Sequence, residues 1–156
     1  MTPLFKKLNF KQQQEIFILN APAGFEGEMQ AMQQDTAIRN AVAATSEVEF
    51  VLAFVKTKTE IDQTIAAVLD RLKGDATVWF AYPKGTSKKY KAEINRDQGW
   101  EILGKSGFEA VRQVAIDDDW NAVRFRKVEF IKTMSRKKDF AMTEQGKQKT
   151  KNTDPQ

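Results

Sequence analysis

The residues best suited to chemistry stand together in "VWFAYPKGTSKKYK", residues 78–91, where an apolar segment runs into a turn with four lysines, two aliphatic hydroxyls and one glycine. Ammonium groups and hydroxyls can hold an anion, so Lys84, Thr86, Ser87 and Lys88 form a candidate anion-holding set. A phosphate cradle needs more: converging backbone N–H groups, usually glycine-rich and leading into a helix. Here there is one glycine, Pro83 removes a donor, and the G-x-x-x-x-G-K-[ST] spacing is missing. The stretch reads first as the solvated exit of a buried strand, and secondly as an anion site working through side chains.

A second group is "VAIDDDW", which ends in Asp117, Asp118, Asp119 and Trp120. Carboxylates suit hard cations, but three consecutive residues point different ways and aspartate is common in turns, so no metal site is assigned. Asp117 is expected to pair with a loop lysine or with Arg124. Trp79 and Trp100 lie in apolar patterns and read as core, whereas Trp120 is the tryptophan least explained by burial. Arg124 and Arg126 alternate onto one face, read as the wet side of an edge strand.

A third candidate, "NAPAGFEG", follows the first apolar run and has Gly24 and Gly27 without the G-x-G-x-x-G fingerprint. Pro22 occupies a position where close backbone approach is wanted. No acidic residue ends a clear second strand to take a ribose, so no cofactor is assigned.

Composition narrows the chemistry further. The 156 residues contain no cysteine and no histidine. Disulfides, thiol nucleophiles, Cys/His zinc sites and imidazole bases are therefore excluded. Of the 25 Lys/Arg and 21 Asp/Glu, the last 22 residues hold six and three, leaving the rest at 19 against 18. The body is nearly neutral, so nucleic acid is expected to meet the chain only weakly, through its tail. No apolar run nears the roughly 20 residues that span a bilayer, and "MTPLFKKLNF" lacks a signal-peptide core, so a cytoplasmic location and no membrane partner are expected.

The elements that position these residues follow from periodicity. "EIFILNA" reads as a buried strand; Phe25, Met29 and Met32 then fall on one helical face. "TAIRNAVAAT" is ambiguous and is read as a short strand. "VEFVLAFV" is apolar on both faces, as a central strand would be. A helix follows, with Thr59 as expected cap, Ile61, Ile65, Val68, Leu69 and Leu72 as its buried stripe, and Gly74 as its expected C-terminal residue. "ATVWFAY" is a second buried strand, parallel to the one before the helix. Asn95 is the expected cap of a helix carrying Trp100 and Leu103, and an antiparallel hairpin turning at residues 117–121 closes the pattern.

The fold class expected is α/β: a three-layer Rossmann-like sandwich, mostly parallel, with a C-terminal antiparallel hairpin or edge strand. Residues 1–134 are read as one domain and 135–156 as a mobile basic tail. Such sheets bind ligands at the carboxyl ends of their strands, where "NAPAGFEG" and "YPKGTSKK" would both lie.

Taken in order, "TPLFKKLNF", "LNAPAGF", "VWFAYPKGTS", "VAIDDDW" and "VRF" resemble the bacterial proteins grouped as domain-of-unknown-function family 3052, over roughly residues 2–128. The resemblance implies a small Rossmann-like domain without an established activity, and it falls on Pro22, Gly24, Trp79, Pro83, Lys84, Ser87, Asp117, Trp120 and Arg124. Where members commonly follow the serine with Gly and an Asp-Leu-Thr helix start, this chain has "KKYKAEINRD", with Glu93 and Asn95.

The function expected from sequence is a noncatalytic ligand-binding or interaction domain working near Lys84, Ser87, Asp117 and Trp120, with a small anionic molecule or a protein as partner. The alternative is an enzyme on a small phosphorylated or carboxylated substrate, with Lys84 and Lys88 holding the anion and Asp117 as base. No catalytic residue is assigned for the first reading.

Overall fold

The twelve residues "LKGDATVWFAYP" form the strand on which the sheet is assembled. In the computed structural model, which describes residues 1–131, this is β4 (Leu72–Pro83). The expected tail, residues 135–156, lies outside the described residues, and with it the expected nucleic-acid contact.

The other strands are β1 (Glu15–Leu19), β2 (Ala37–Arg39), β3 (Val48–Phe54), β5 (Phe108–Ala115) and β6 (Trp120–Lys127). Their order across the sheet is β2-β1-β3-β4-β6-β5. β1 to β4 run parallel, and β6 is antiparallel to both β4 and β5. The sheet is thus a six-stranded, mostly parallel Rossmann-like one. The hairpin has β5 at the edge and β6 inside, zipped along β4 from Val78↔Phe125 to Pro83↔Trp120.

Helices cover both faces. On one, α3 (Lys58–Val68) and α4 (Glu101–Lys105) pack Ile61, Ile65, Val68 and Leu103 against Val51, Val78 and Phe80. On the other, α1 (Pro3–Lys7) and α2 (Glu26–Met32) bring Phe5 and Met32 against Phe50, Leu52 and Trp79, with Leu8 and Phe25 beside them. Trp79 is fully buried, and its indole N–H donates to the Leu8 carbonyl at 2.7 Å. That bond fixes the segment after α1 over the sheet.

Three local expectations are corrected. Thr57, not Thr59, caps α3: its hydroxyl accepts from Glu60 N–H at 3.1 Å while the Glu60 carboxylate accepts from Thr57 N–H at 3.2 Å, a reciprocal capping box. Gly74 does not close that helix. A 3₁₀ turn (Leu69–Arg71) follows α3, and Gly74 has φ +57° within β4. Val48 pairs with Leu72 but Phe50 with Thr77, so residues 73–76 bulge out of the ladder, and the left-handed glycine makes that departure possible.

Asn95 caps no helix either. Its side chain accepts from Asp97 N–H at 2.8 Å in a tight turn, and Trp100 precedes α4 without a side-chain cap. The ambiguous segment after α2 forms strand only over Ala37–Arg39. Among the described residues, no helix is long and apolar enough to cross a membrane.

Thr57→Ala should lower stability by about 1 kcal/mol, the usual cost of a lost N-cap. Thr59→Ala, at an exposed site in the first turn, should stay within about 0.5 kcal/mol of the parent. Urea denaturation followed by circular dichroism separates the two; equal losses would contradict the cap assignment.

Candidate functional site

The chain leaves β1 towards β2 on one side and returns on the other to make β3, so the strand order reverses at β1 and β3. In an open α/β sheet the crevice outside the carboxyl ends of those two strands is the ligand position. The loop after β1 opens with exposed Asn20 at φ +59° and passes through extended Pro22 into a 3₁₀ turn (Ala23–Phe25). α2 then begins with Glu26 and Glu28 in its first turn, and Glu28 Oε2 is buried without a hydrogen-bond partner. Across the crevice, Glu60 Oε1 accepts from Lys56 N–H at 2.8 Å. Carboxylates therefore stand at the start of both helices. They neutralise the positive helix ends, which would otherwise draw a phosphate.

Next to this crevice lies the corner that the sequence singled out. Pro83 pairs with Trp120, so the loop after β4 meets the β5–β6 turn. Lys84 N–H donates to the Asp119 carbonyl at 2.8 Å. The Ser87 hydroxyl donates to Asp119 Oδ1 at 2.8 Å, and its oxygen accepts from Lys89 N–H and Tyr90 N–H. Lys84, Ser87 and Trp120 thus come to one corner, with Asp117 in the adjoining turn. Thr86 and Lys88 are exposed.

Their tasks differ from those expected. Asp117 does not pair with Arg124: its Oδ1 accepts from Asp119 N–H at 2.8 Å and Trp120 N–H at 2.9 Å, which makes it the residue that closes the hairpin turn. Arg124 lies further along β6, opposite Trp79. Asp119, read from sequence as one of three adjacent carboxylates, is what ties the two loops. Trp120 is buried, 3% exposed, with its ring 5.0 Å from Phe54 and 5.1 Å from Tyr90. Phe54 in turn meets Phe25 at 5.0 Å. Four rings therefore close the α1/α2 side of this edge, and Lys56 Nζ lies 5.0 Å from the centre of the Tyr90 ring. The tryptophan followed three aspartates, so its burial was invisible until β6 was placed inside the sheet.

Arg124 and Arg126 are likewise not on the wet side of an edge strand. At the opposite edge, where β3 and β4 begin and β6 ends, they line a cavity of about 410 Å³ together with Asn9, Lys11, Asp75 and Thr77. Arg126 grips Asp75 with Nε at 3.0 Å and 3.1 Å and Nη2 at 2.6 Å. The bond to Asp75 holds the Arg126 pKa up. Burial lowers that of Arg124, and the charge of Arg126 lowers it further. The one signal in the sequence for this cavity was Gly74, which had been assigned to a helix end.

Tyr82, at the carboxyl end of β4, packs against Trp100 with ring centres 5.8 Å apart. Burial raises its pKa above the ordinary 10.0, against a hydrogen bond from Asn121 that lowers it.

No protein-family model matches the chain, and no curated protein does. Solved structures do. The chain is similar to a SAM-dependent methyltransferase from Aquifex aeolicus, at 11% identity and TM-score 0.52, covering 79% of this chain and 87% of that one. It is similar also to a putative type 11 methyltransferase from Sulfolobus solfataricus, at 10% identity and TM-score 0.47, covering 81% and 92%. At these identities the likeness shows the fold, which is a Rossmann-type one.

The expectation of a noncatalytic domain is corrected by this finding. That expectation rested on the polar and aromatic cluster at one edge together with the missing histidine, cysteine and cofactor motifs, yet the fold is one that carries a methyltransferase, and methyl transfer from a sulfonium needs alignment of two groups more than an imidazole. The alternative also fails. Asp117 spends its Oδ1 on two backbone N–H groups, and Lys88 is exposed.

A raised tyrosine pKa means that the folded state keeps the phenol proton after the unfolded chain has lost it. The stabilising contribution is present below about pH 10 and is lost as pH rises through the higher folded value. Tyr82→Phe should therefore flatten the decline of stability above pH 10, read by urea midpoints from pH 8 to 11; an unchanged decline would contradict burial of the hydroxyl.

Proposed function

We propose that the chain is an enzyme of the methyl-transfer class that takes a sulfonium methyl donor at the β1/β3 switch point. The observation that carries the reading is the set of carboxylates at that crevice, Glu26 and Glu28 of α2 with Glu60 of α3, on a sheet of the methyltransferase type. A dinucleotide would bring a pyrophosphate to these acidic helix starts and be repelled. S-adenosylmethionine brings a sulfonium, an ammonium and one carboxylate, a net positive charge that the same carboxylates attract.

Glu28 fits the charged end of such a donor, because its buried Oε2 lacks the hydrogen bond that an ammonium would supply. Where a standard dinucleotide site has an acid for the ribose, β2 closes on Arg39, which pairs with Glu15 at 3.3 Å, and Asn40 follows. When bound, the donor would supply an electrophilic methyl group. The chain's own part is to orient it and to keep water from the crevice, to which the ring row from Phe25 to Tyr90 contributes. Membership of family 3052 and a cytoplasmic setting belong to the same proposal, supported by the ordered motifs from Pro22 to Arg124.

Titration calorimetry with S-adenosylhomocysteine and with NAD is the test. The thioether product should bind and NAD should not, and Glu28→Gln should weaken binding roughly tenfold, the loss of one charged hydrogen bond. Binding of NAD alone, or of neither at millimolar concentration, would overturn the reading.

A further inference from the structure

We propose that the cavity at the amino edge of the sheet binds a phosphorylated, hydroxyl-rich small molecule, with Arg124 as its anion-binding residue. The site is separate from the β1/β3 crevice and stands or falls apart from the methyl-transfer reading.

The cavity exists because residues 73–76 leave the β3–β4 ladder, while the segment after α1 is held over the sheet by the Trp79 bond to Leu8. Its volume of about 410 Å³ lies in the ordinary range of small-molecule sites. Lys11, Lys73, Arg124 and Arg126 line it against two carboxylates, Glu49 and Asp75. Asp75 is engaged in a bidentate grip on Arg126. Lys73 reaches out to Glu47 at 3.2 Å across an exposed pair.

Lys11 is exposed, and Arg124 is left as the half-buried cation of the lining with no ion pair among the described residues. It is half-buried, its Nε is shut off from solvent, and that atom has no hydrogen-bond partner among the described residues. Arg126 and Arg112 add positive charge beside it, and only Asp75 acts in the other direction. A half-buried guanidinium without a carboxylate partner is a standing cost, and an oxyanion held against the part of Arg124 that lines the cavity offsets it. The planar fork of an arginine matches phosphate oxygens in particular.

The remaining lining selects among phosphates. Among the described residues no aromatic ring lines the cavity, so a nucleobase would lack the aromatic face on which bases usually stack. Asn9, Gln13, Thr77 and the Glu49 carboxylate offer the donors and acceptors that sugar hydroxyls use. A sugar phosphate answers to both halves of the site.

The test titrates the full chain with millimolar glucose 6-phosphate, glucose and gluconate at matched ionic strength, following melting temperature and backbone amide shifts. Glucose 6-phosphate should raise the melting temperature and move amides of residues 9–13, 73–77 and 124–126, and glucose should do neither. Arg124→Gln should weaken binding roughly tenfold, whereas Lys88→Gln, at the far edge, should leave it unchanged. The amide shifts of the unaltered protein keep the test independent of how the variants fold. Gluconate binding as tightly as glucose 6-phosphate would overturn the phosphate assignment. The site itself would be overturned by silence with glucose 6-phosphate, by an equal effect from sodium sulfate, or by binding that survives Arg124→Gln.

Discussion

From Ala76 to Pro83 β4 is buried on both faces, with a partner strand on each side, and every other element takes its position from that constraint. Its parallel partner β3 sets the first half of the sheet, and its antiparallel partner β6 sets the second. A strand in this place has no wet face, so "ATVWFAY" is apolar but for the hydroxyls of Thr77 and Tyr82. Its large buried polar groups are both met: the Trp79 indole N–H donates to the Leu8 carbonyl, and the Tyr82 hydroxyl is hydrogen-bonded by Asn121. The segment between α1 and β1 is thereby drawn over the strand, and α1 supplies Phe5 to the face below it.

The two ends of β4 follow from what surrounds each. At its carboxyl end the ladder is regular up to Pro83↔Trp120, so loop and hairpin turn meet, and Ser87 with Asp119 locks them. The result is a corner sealed by aromatic rings. At its amino end the bulge spoils the ladder with β3, and polar groups that would have been separated by pairing face a common space. A regular strand would have left no cavity there. The same chain segment thus makes a closed corner at one edge and an open polar site at the other.

Much of the architecture was legible because it rests on periodicity. The two doubly apolar strands, the helix between them and the closing hairpin are visible as runs and stripes, and they suffice for the layer order. What escaped depends on contacts distant in sequence. Nothing near Trp120 announces that β6 will lie between β4 and β5, so neither its burial nor the inward face of Arg124 could be read locally. Gly74 was recognised as left-handed but placed at a helix end, because a bulge and a C-cap ask for the same φ. Thr57 and Thr59 are both capping residue types, and the Glu three residues after Thr57 was the signal that separated them. At the site, side-chain type gave the corner but not the roles: Asp117 and Ser87 serve the turn, and Asp119 joins the loops.

The account divides the sheet by edge, with a cationic donor at the acidic carboxyl edge and an anion at the arginine-bearing amino edge. The most direct measurement is an amide chemical-shift map of the chain with and without S-adenosylhomocysteine. The account predicts changes clustered at residues 20–28 and 54–60, with residues 73–77 and 124–126 still. Changes centred on Arg124 and the bulge, or none at the β1/β3 crevice, would contradict it.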